Sequence, residues 1–178
     1  MKQTAKTALG GIVAALSLTV LLAFSFLPFL EYALPAFAGA LIMLIVIEIN
    51  KAWAFGVYLS VSLLALILMP NKEAAMMYAA LFGYYPILKS VFESKLPRIL
   101  EYVCKILLFL VTISAAYFVM IRFMGITFED LDSFGKFSVP ILLCAGTVVF
   151  IVYDYTLSMF VRTYLRVWQK KFRKIFKK

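Results

Sequence analysis

Six apolar runs, each long enough to cross a lipid bilayer, follow one another along this 178-residue chain. A membrane-spanning helix needs about 20 consecutive apolar residues, and a helix satisfies its own backbone hydrogen bonds inside hydrocarbon. The runs lack the polar alternation of barrel strands. The sequence therefore predicts an all-α membrane protein with six transmembrane helices, at about 8–30, 32–49, 52–69, 74–91, 99–124 and 137–161.

Composition excludes several functional classes. Hydrophobic residues make up 65% of the chain and charged residues 15%, which is too apolar for a soluble domain of this size. The chain has no histidine, the commonest general base and metal ligand, so no catalytic site, metal or cofactor is predicted. Cys104 and Cys144 lie in apolar runs and are predicted to be small buried residues. There is no phosphate-binding P-loop motif for ATP hydrolysis.

The positive charges predict the orientation of the chain. With a cytoplasmic N-terminus, 15 of the 18 lysines and arginines fall on the inner side, and only Lys72, Arg122 and Lys136 fall outside. Because inner loops are rich in lysine and arginine, both termini are predicted to be cytoplasmic. Lys2 and Lys6 before an apolar run also resemble a secretory signal, but the run is long for one, so the first span is predicted to remain.

The fourth span contains a break in the stretch LFGYYPILKS. Pro86 cannot donate a hydrogen bond to the carbonyl of Phe82, and Gly83 lets the backbone bend, so a kink is predicted there. Helical spacing places Tyr78 and Tyr85 on one face. Two interpretations stay open: a proline kink packed by aromatic rings, or a kinked helix that lines a small-molecule pocket open to the outside.

Further features of this span are predicted from its two ends and from the face beside the tyrosines. Asn71 is a natural N-cap, and Glu73 suits the positive end of the helix dipole. Met77 and Tyr84 are predicted to share the face beside the tyrosine pair. Lys89, near the inner end, is predicted to extend its amine to the membrane interface.

The first span carries small residues at helical spacing in the segment TALGGIVAALS. Such a face lets a second helix approach closely, either within the same chain or from a partner subunit. The candidate docking residues are Ala8, Gly11, Ala14 and Ala15.

Asp154 is the charge set deepest in an apolar run. An intramembrane carboxylate faces the protein interior and has a partner, and Arg162, Lys89 and Lys105 are the candidates on the inner half. A structural ion pair and a proton-relay or gating role are both open interpretations.

Residues 162–178 form a basic cytoplasmic tail with eight lysines and arginines and no acid. Their helical spacing predicts an amphipathic helix on anionic inner-leaflet lipid, with a cytoplasmic protein partner as the alternative and no role in nucleic-acid binding. On the outer side, the acids of residues 125–136 predict a solvated loop without a bound ion. The candidate lipid-binding residues are Arg162, Arg166, Lys170, Lys171, Arg173 and Lys174.

The segment AKTALGGIVAALS, the six short spans, the basic inner side and the missing ATPase motif resemble the substrate-binding S component of energy-coupling-factor transporters. The resemblance implies a multi-pass protein of the bacterial plasma membrane that binds a vitamin-like micronutrient. It also implies that the small face of the first helix docks on a membrane coupling subunit, and that separate ATPase subunits drive uptake.

By position, the resemblance implies a substrate pocket under the outer loops. This pocket would end at the helix break formed by Gly83 and Pro86. The alternative is a membrane scaffold or accessory subunit that uses its basic tail to bind lipid. A pocket near Tyr78 and Tyr85 would favour the substrate-binding subunit, and dense packing at the same place would favour the scaffold. The candidate substrate residues are Glu31, Tyr32, Asn71, Lys72, Glu73, Met77, Tyr78, Tyr84 and Tyr85.

Overall fold

The computed structural model describes residues 2–23, 33–119, 122 and 138–169, and over these ranges the fold contains helices and no strand. The α-helices are α1 (Gln3–Ala23), α2 (Ala33–Glu48), α3 (Lys51–Leu68), α4 (Lys72–Met77), α5 (Tyr85–Lys95), α6 (Arg98–Val119) and α7 (Ser138–Thr163). Two π-helical turns complete the list, Tyr78–Phe82 after α4 and Tyr164–Trp168 after α7.

Four of the described helical segments are long and apolar enough to cross a membrane. The second predicted span, α2, is apolar but has only 16 residues. The fourth predicted span is divided by the π turn into α4 and α5. The four segments that meet both criteria are Gln3–Ala23, Lys51–Leu68, Arg98–Ala116 and Leu143–Trp168.

Helix α2 lies at the centre of the bundle. It packs against α1, α3, α4, the first π turn, α5 and α7. The sequence of α2 is apolar all round, and its buried residues lie against these neighbours, whereas Phe37 is 55% exposed. Ala38, Ile42 and Ile45 are fully buried there. The hydrophobic core therefore forms around α2, and the surface of the described bundle is also rich in exposed apolar side chains.

Asparagine side chains begin two of the helices. Asn50 Oδ1 accepts a hydrogen bond from the backbone N–H of Trp53 at 2.8 Å and so caps α3. Asn71 Oδ1 accepts from the N–H groups of Glu73 and Ala74 at 2.9 and 3.2 Å, which confirms its predicted capping role on α4. These side chains satisfy backbone donors that have no partner within the first helical turn.

The cysteine prediction was wrong. Cys104 is half-buried and Cys144 is exposed, so neither is fully buried as predicted. Both are free thiols.

Candidate functional site

The break in the fourth predicted span begins with the π turn Tyr78–Phe82. The N–H of Gly83 donates to the carbonyl of Tyr78 at 2.8 Å, five residues back. In a regular α-helix this N–H would bind the carbonyl of Ala79. The Ala79 carbonyl is therefore free, and the Tyr58 hydroxyl on α3 donates to it at 2.8 Å. A side chain from a neighbouring helix thus compensates for the irregular backbone.

Pro86 follows the π turn at the start of α5 and leaves the Phe82 carbonyl without an intrahelical donor. The Tyr153 hydroxyl approaches that oxygen at 3.5 Å. A Cβ on Gly39 would overlap the same oxygen, so a residue without a side chain is needed where α2 passes the kink. The kink therefore lies directly against α2 and α7.

Gly83 is required by space rather than by backbone conformation. Its φ is −73°, which any residue can adopt. A Cβ there would come within 2.6 Å of the Tyr58 ring and 3.0 Å of the Tyr78 ring. The two rings also pack on each other at a centroid distance of 6.4 Å. The Tyr58 and Tyr78 rings therefore pack directly against the backbone at Gly83.

Asp154 lies at the centre of a second feature, a buried ionic cluster between α5, α6 and α7. Its residue is 7% exposed. Asp154 Oδ1 accepts from Lys89 Nζ at 2.5 Å and from the Tyr85 hydroxyl at 2.5 Å. Lys105 Nζ lies 3.0 Å from Oδ1 and 3.1 Å from Oδ2. Both oxygens of this carboxylate are therefore held by charged or polar donors.

Lys89 is fully buried, so the prediction that its amine extends to the interface was wrong. The amine instead turns inward, where four oxygens satisfy it. Besides Asp154 Oδ1, it donates to the Asp154 carbonyl at 3.1 Å and to Ser158 Oγ at 2.8 Å, and it forms an ion pair with Glu93 Oε1 at 2.7 Å. A buried ammonium is tolerated when it is paired and fully hydrogen-bonded in this way.

Lys105 is the second buried ammonium, with its side chain 3% exposed. It pairs with Glu101 Oε1 at 2.6 Å and reaches Glu93 Oε1 at 3.5 Å. Sequence reasoning missed Glu93 and Glu101 as members of this cluster. The signal was present, because Lys89 with Glu93 and Glu101 with Lys105 are each four residues apart, the spacing of helical ion pairs.

The predicted substrate residues do not converge on one site in the described part of the chain. Lys72 donates to the carbonyls of Leu66 and Met69 at the end of α3. Tyr84 shares a hydrogen bond with Thr112 at 2.7 Å. Asn71 is occupied as a helix cap, Glu73 lies in the first turn of α4, Met77 packs at the edge of the core, and Glu31 and Tyr32 lie outside the described residues.

Tyr78 and Tyr85 are both fully buried but pack against different helices. Tyr78 contacts Tyr58 on α3, whereas the Tyr85 ring lies against Phe150 and Tyr153 on α7. The π turn inserts an extra residue between the two tyrosines, which changes the face that a seven-residue spacing predicts. The Tyr78 hydroxyl has no hydrogen-bond partner in the described part of the structure.

The small residues of α1 border a groove of about 550 Å³ between α1 and α3. Nothing lies within 4 Å of a Cβ added to Gly11 or to Gly56, which faces it from α3. Ala8 and Ala15 are exposed beside the groove, and Ala14 lines it. The residues that line the groove are Thr7, Gly10, Gly11, Ala14, Ala52, Trp53, Gly56, Val57 and Ser60.

The first part of the basic tail continues α7 through the π turn Tyr164–Trp168. Arg162 and Arg166 are exposed, and so are Leu165 and Trp168. The remaining candidate lipid-binding residues Lys170, Lys171, Arg173 and Lys174 lie outside the described residues. Across the described ranges, no group of three or more metal-ligating side chains comes together.

The fold and these features define an all-helical protein with several apolar helices of membrane-spanning length. Comparisons with protein-family models, with curated proteins and with solved structures found no match to this chain.

Proposed function

We propose that this chain is the substrate-binding subunit of a micronutrient uptake transporter in the bacterial plasma membrane. Separate coupling and ATPase subunits would supply its energy, in keeping with the resemblance to S components. The observation that carries the proposal is the groove between α1 and α3, because its open glycines give a partner helix access to the backbone.

The groove is suited to a transmembrane helix rather than to a soluble ligand. Both of its walls are helices of membrane-spanning length. Its hydroxyls are already satisfied, since Thr7 donates to the Gln3 carbonyl and Ser60 to the Gly56 carbonyl. A surface with small side chains and few free polar groups favours close van der Waals packing of helices, which drives association in lipid.

Tyr78 is the candidate substrate residue that the structure supports best. A buried hydroxyl without a partner costs about 1–3 kcal/mol, so a polar group of a bound substrate would stabilise it. Tyr85 is less suitable, because its hydroxyl already binds Asp154. Tyr78→Phe removes the hydroxyl and keeps the ring, so it tests this role without disturbing the packing around Tyr58.

The alternative function is a membrane scaffold or accessory subunit. The complete burial of Tyr78 and Tyr85 favours it, since both rings are packed against aromatic neighbours. A scaffold would use the same groove and the same basic tail but would bind no small substrate.

Native mass spectrometry of the protein purified gently from its host membranes tests the proposal. A bound small molecule, or co-purifying coupling and ATPase subunits, is the expected result. Gly11→Leu should release the partner subunits while the chain keeps its helical content, whereas Ala52→Gly should retain them. A chain that carries only lipid or an unrelated membrane protein would favour the scaffold.

A further inference from the structure

An excess of positive charge lies at one end of the bundle, where α5 ends, α6 begins and α7 ends. The described parts of these helices, with the π turn after α7, hold six lysines and arginines and three acids. The acids are the three carboxylates of the ionic cluster, and each forms an ion pair with Lys89 or Lys105. The cations outside the cluster are exposed and form no ion pair with any described residue; they are Lys95, Arg98, Arg162 and Arg166.

The contacts around the cluster fix how α6 and α7 run past each other. Lys105 Nζ lies 3.0 Å from Asp154 Oδ1. One turn further along α6, the Phe109 ring stacks on Phe150, which lies one turn back along α7, at a centroid distance of 4.8 Å. Because a step forward on one helix meets a step back on the other, the two helices are antiparallel here.

This register places Arg98 and Arg162 at the same height on neighbouring helices. Arg98 lies seven residues before Lys105, and Arg162 lies eight residues after Asp154. At about 1.5 Å per residue, both arginines are about 10–12 Å beyond the ion pair, measured along the helix axes and toward the same end of the bundle. Arg98 shares the Lys105 face of α6, and Arg162 shares the Ser158 face of α7, which receives the Lys89 amine. The two arginines therefore lie on either side of the seam between α6 and α7.

The surface next to these arginines is apolar on both helices. One turn toward the middle of the bundle, Tyr102 on α6 and Met159 on α7 are exposed. Both helices are apolar and long enough to cross a membrane, and arginines at the ends of such helices extend their charge to the level of the lipid headgroups. A ligand that matches this surface has an anionic head beside an apolar chain.

We propose that Arg98 and Arg162 bind the phosphate group of one anionic phospholipid, whose acyl chains lie along α6 and α7 next to Tyr102 and Met159. Arginine suits this role because its planar guanidinium donates two parallel hydrogen bonds to phosphate oxygens. The positive-inside pattern assigns this end of the bundle to the cytoplasmic leaflet, which carries anionic headgroups. The site adds a residue of α6 to the lipid contacts predicted for the basic tail, and it does not depend on the proposed transport function.

Native mass spectrometry with defined lipids tests the proposal. The full-length chain, freed of co-purified lipid in detergent, is titrated with phosphatidylglycerol or with phosphatidylcholine that has the same acyl chains. The first phosphatidylglycerol should bind more tightly than phosphatidylcholine, because only phosphatidylglycerol carries a net negative charge. Arg98→Gln and Arg162→Gln should each weaken its binding about fivefold, the usual effect of one basic residue near an anionic membrane surface.

Two further variants separate this site from a general effect of charge. Arg122→Gln makes the same chemical change at an exposed arginine beyond the opposite end of α6, and it should leave the affinity for phosphatidylglycerol unchanged. Arg98→Lys keeps the charge but loses the bidentate geometry, so it should weaken binding less than Arg98→Gln. A circular dichroism spectrum of each variant checks that the helical content is retained.

Several results would overturn the site. Equal affinity for the two lipids would show that the headgroup charge is not recognised. Unchanged binding in both glutamine variants, or an equal loss in Arg122→Gln, would place the lipid away from the seam. Displacement of the lipid by inorganic phosphate would make a free anion the ligand instead.

Discussion

At the scale of single residues, the fold depends on side chains that complete hydrogen bonds at the helix break and on glycines that leave space for it. Gly39 and Gly83 leave space, and Tyr58 supplies a donor. Asp154 performs a related task in the ionic cluster by holding two ammonium groups and a hydroxyl. Gly56 and Tyr155 are exposed counterparts of Gly39 and Tyr58 and serve as controls.

Gly39→Ala should destabilise the protein strongly. The added methyl group would overlap the Phe82 carbonyl and the Tyr153 hydroxyl, and backbone atoms of two packed helices cannot move aside easily. We expect a loss of about 2–3 kcal/mol, at the upper end of overpacking effects. Thermal unfolding in a single detergent measures it.

Gly56→Ala is the matched control for this substitution, because nothing lies within 4 Å of the added Cβ. It should leave the melting temperature nearly unchanged. Equal effects of the two variants would contradict the close contact between α2 and the kink.

Asp154→Asn should also destabilise the protein. The amide cannot balance the charges of Lys89 and Lys105, both of which are buried. Breaking a buried ion pair from one side costs about 3–5 kcal/mol. Tyr85→Phe removes one hydrogen bond to the same carboxylate and should cost less, so the order of the two melting temperatures tests the cluster directly.

At the scale of helical elements, the fourth predicted span shows what sequence can and cannot predict. Pro86 and Gly83 indicated a kink at the right place, because the chemistry of proline is local. The π turn was missed, since it is supported by a tertiary contact. The Tyr58 hydroxyl of α3 donates to the carbonyl of Ala79, which lies 21 residues further along the sequence. Its extra residue is also why the predicted pairing of Tyr78 with Tyr85 differs from the observed packing.

Tyr58→Phe should weaken the π turn. It leaves the Ala79 carbonyl without its donor while preserving the ring packing, and an unsatisfied buried carbonyl costs about 1–3 kcal/mol. Thermal unfolding should show the loss. Tyr155→Phe alters an exposed tyrosine, 68% accessible, and should have little effect. A similar fall in melting temperature for both variants would contradict the stabilising role of the hydrogen bond from Tyr58 to the Ala79 carbonyl.

The ionic cluster shows the same division between local and tertiary information. Asp154 was recognisable because a carboxylate within an apolar run requires a partner. Glu93 was missed although it lies four residues after Lys89, since a charge near the end of a helix is usually solvated. The fold brings it to Lys105, on the next helix, and this contact cannot be read from helical spacing alone.

At the scale of the whole molecule, the positive-inside pattern makes a prediction about topology. If both termini are cytoplasmic, the loop at Pro70 faces outward and the loop at Lys95 faces inward. Both residues are exposed, so each can carry a reporter. In a background with both native cysteines replaced by serine, Pro70→Cys should react with a membrane-impermeant maleimide in intact cells, and Lys95→Cys only after permeabilisation. The reverse pattern would invert the orientation.

The wide separation of the ion pairs along the chain has a consequence for synthesis. Lys89 and Lys105 precede Asp154 by 65 and 49 residues. At about 5–20 residues per second, a ribosome would add α7 roughly 3–13 s after Lys89 emerges from it. Until then Lys89 and Lys105 pair with Glu93 and Glu101, so the hairpin of α5 and α6 already carries two ammonium and two carboxylate groups. A nascent chain that stops before α7 would therefore hold a balanced set of charges, to which Asp154 later adds its hydrogen bonds and one further negative charge.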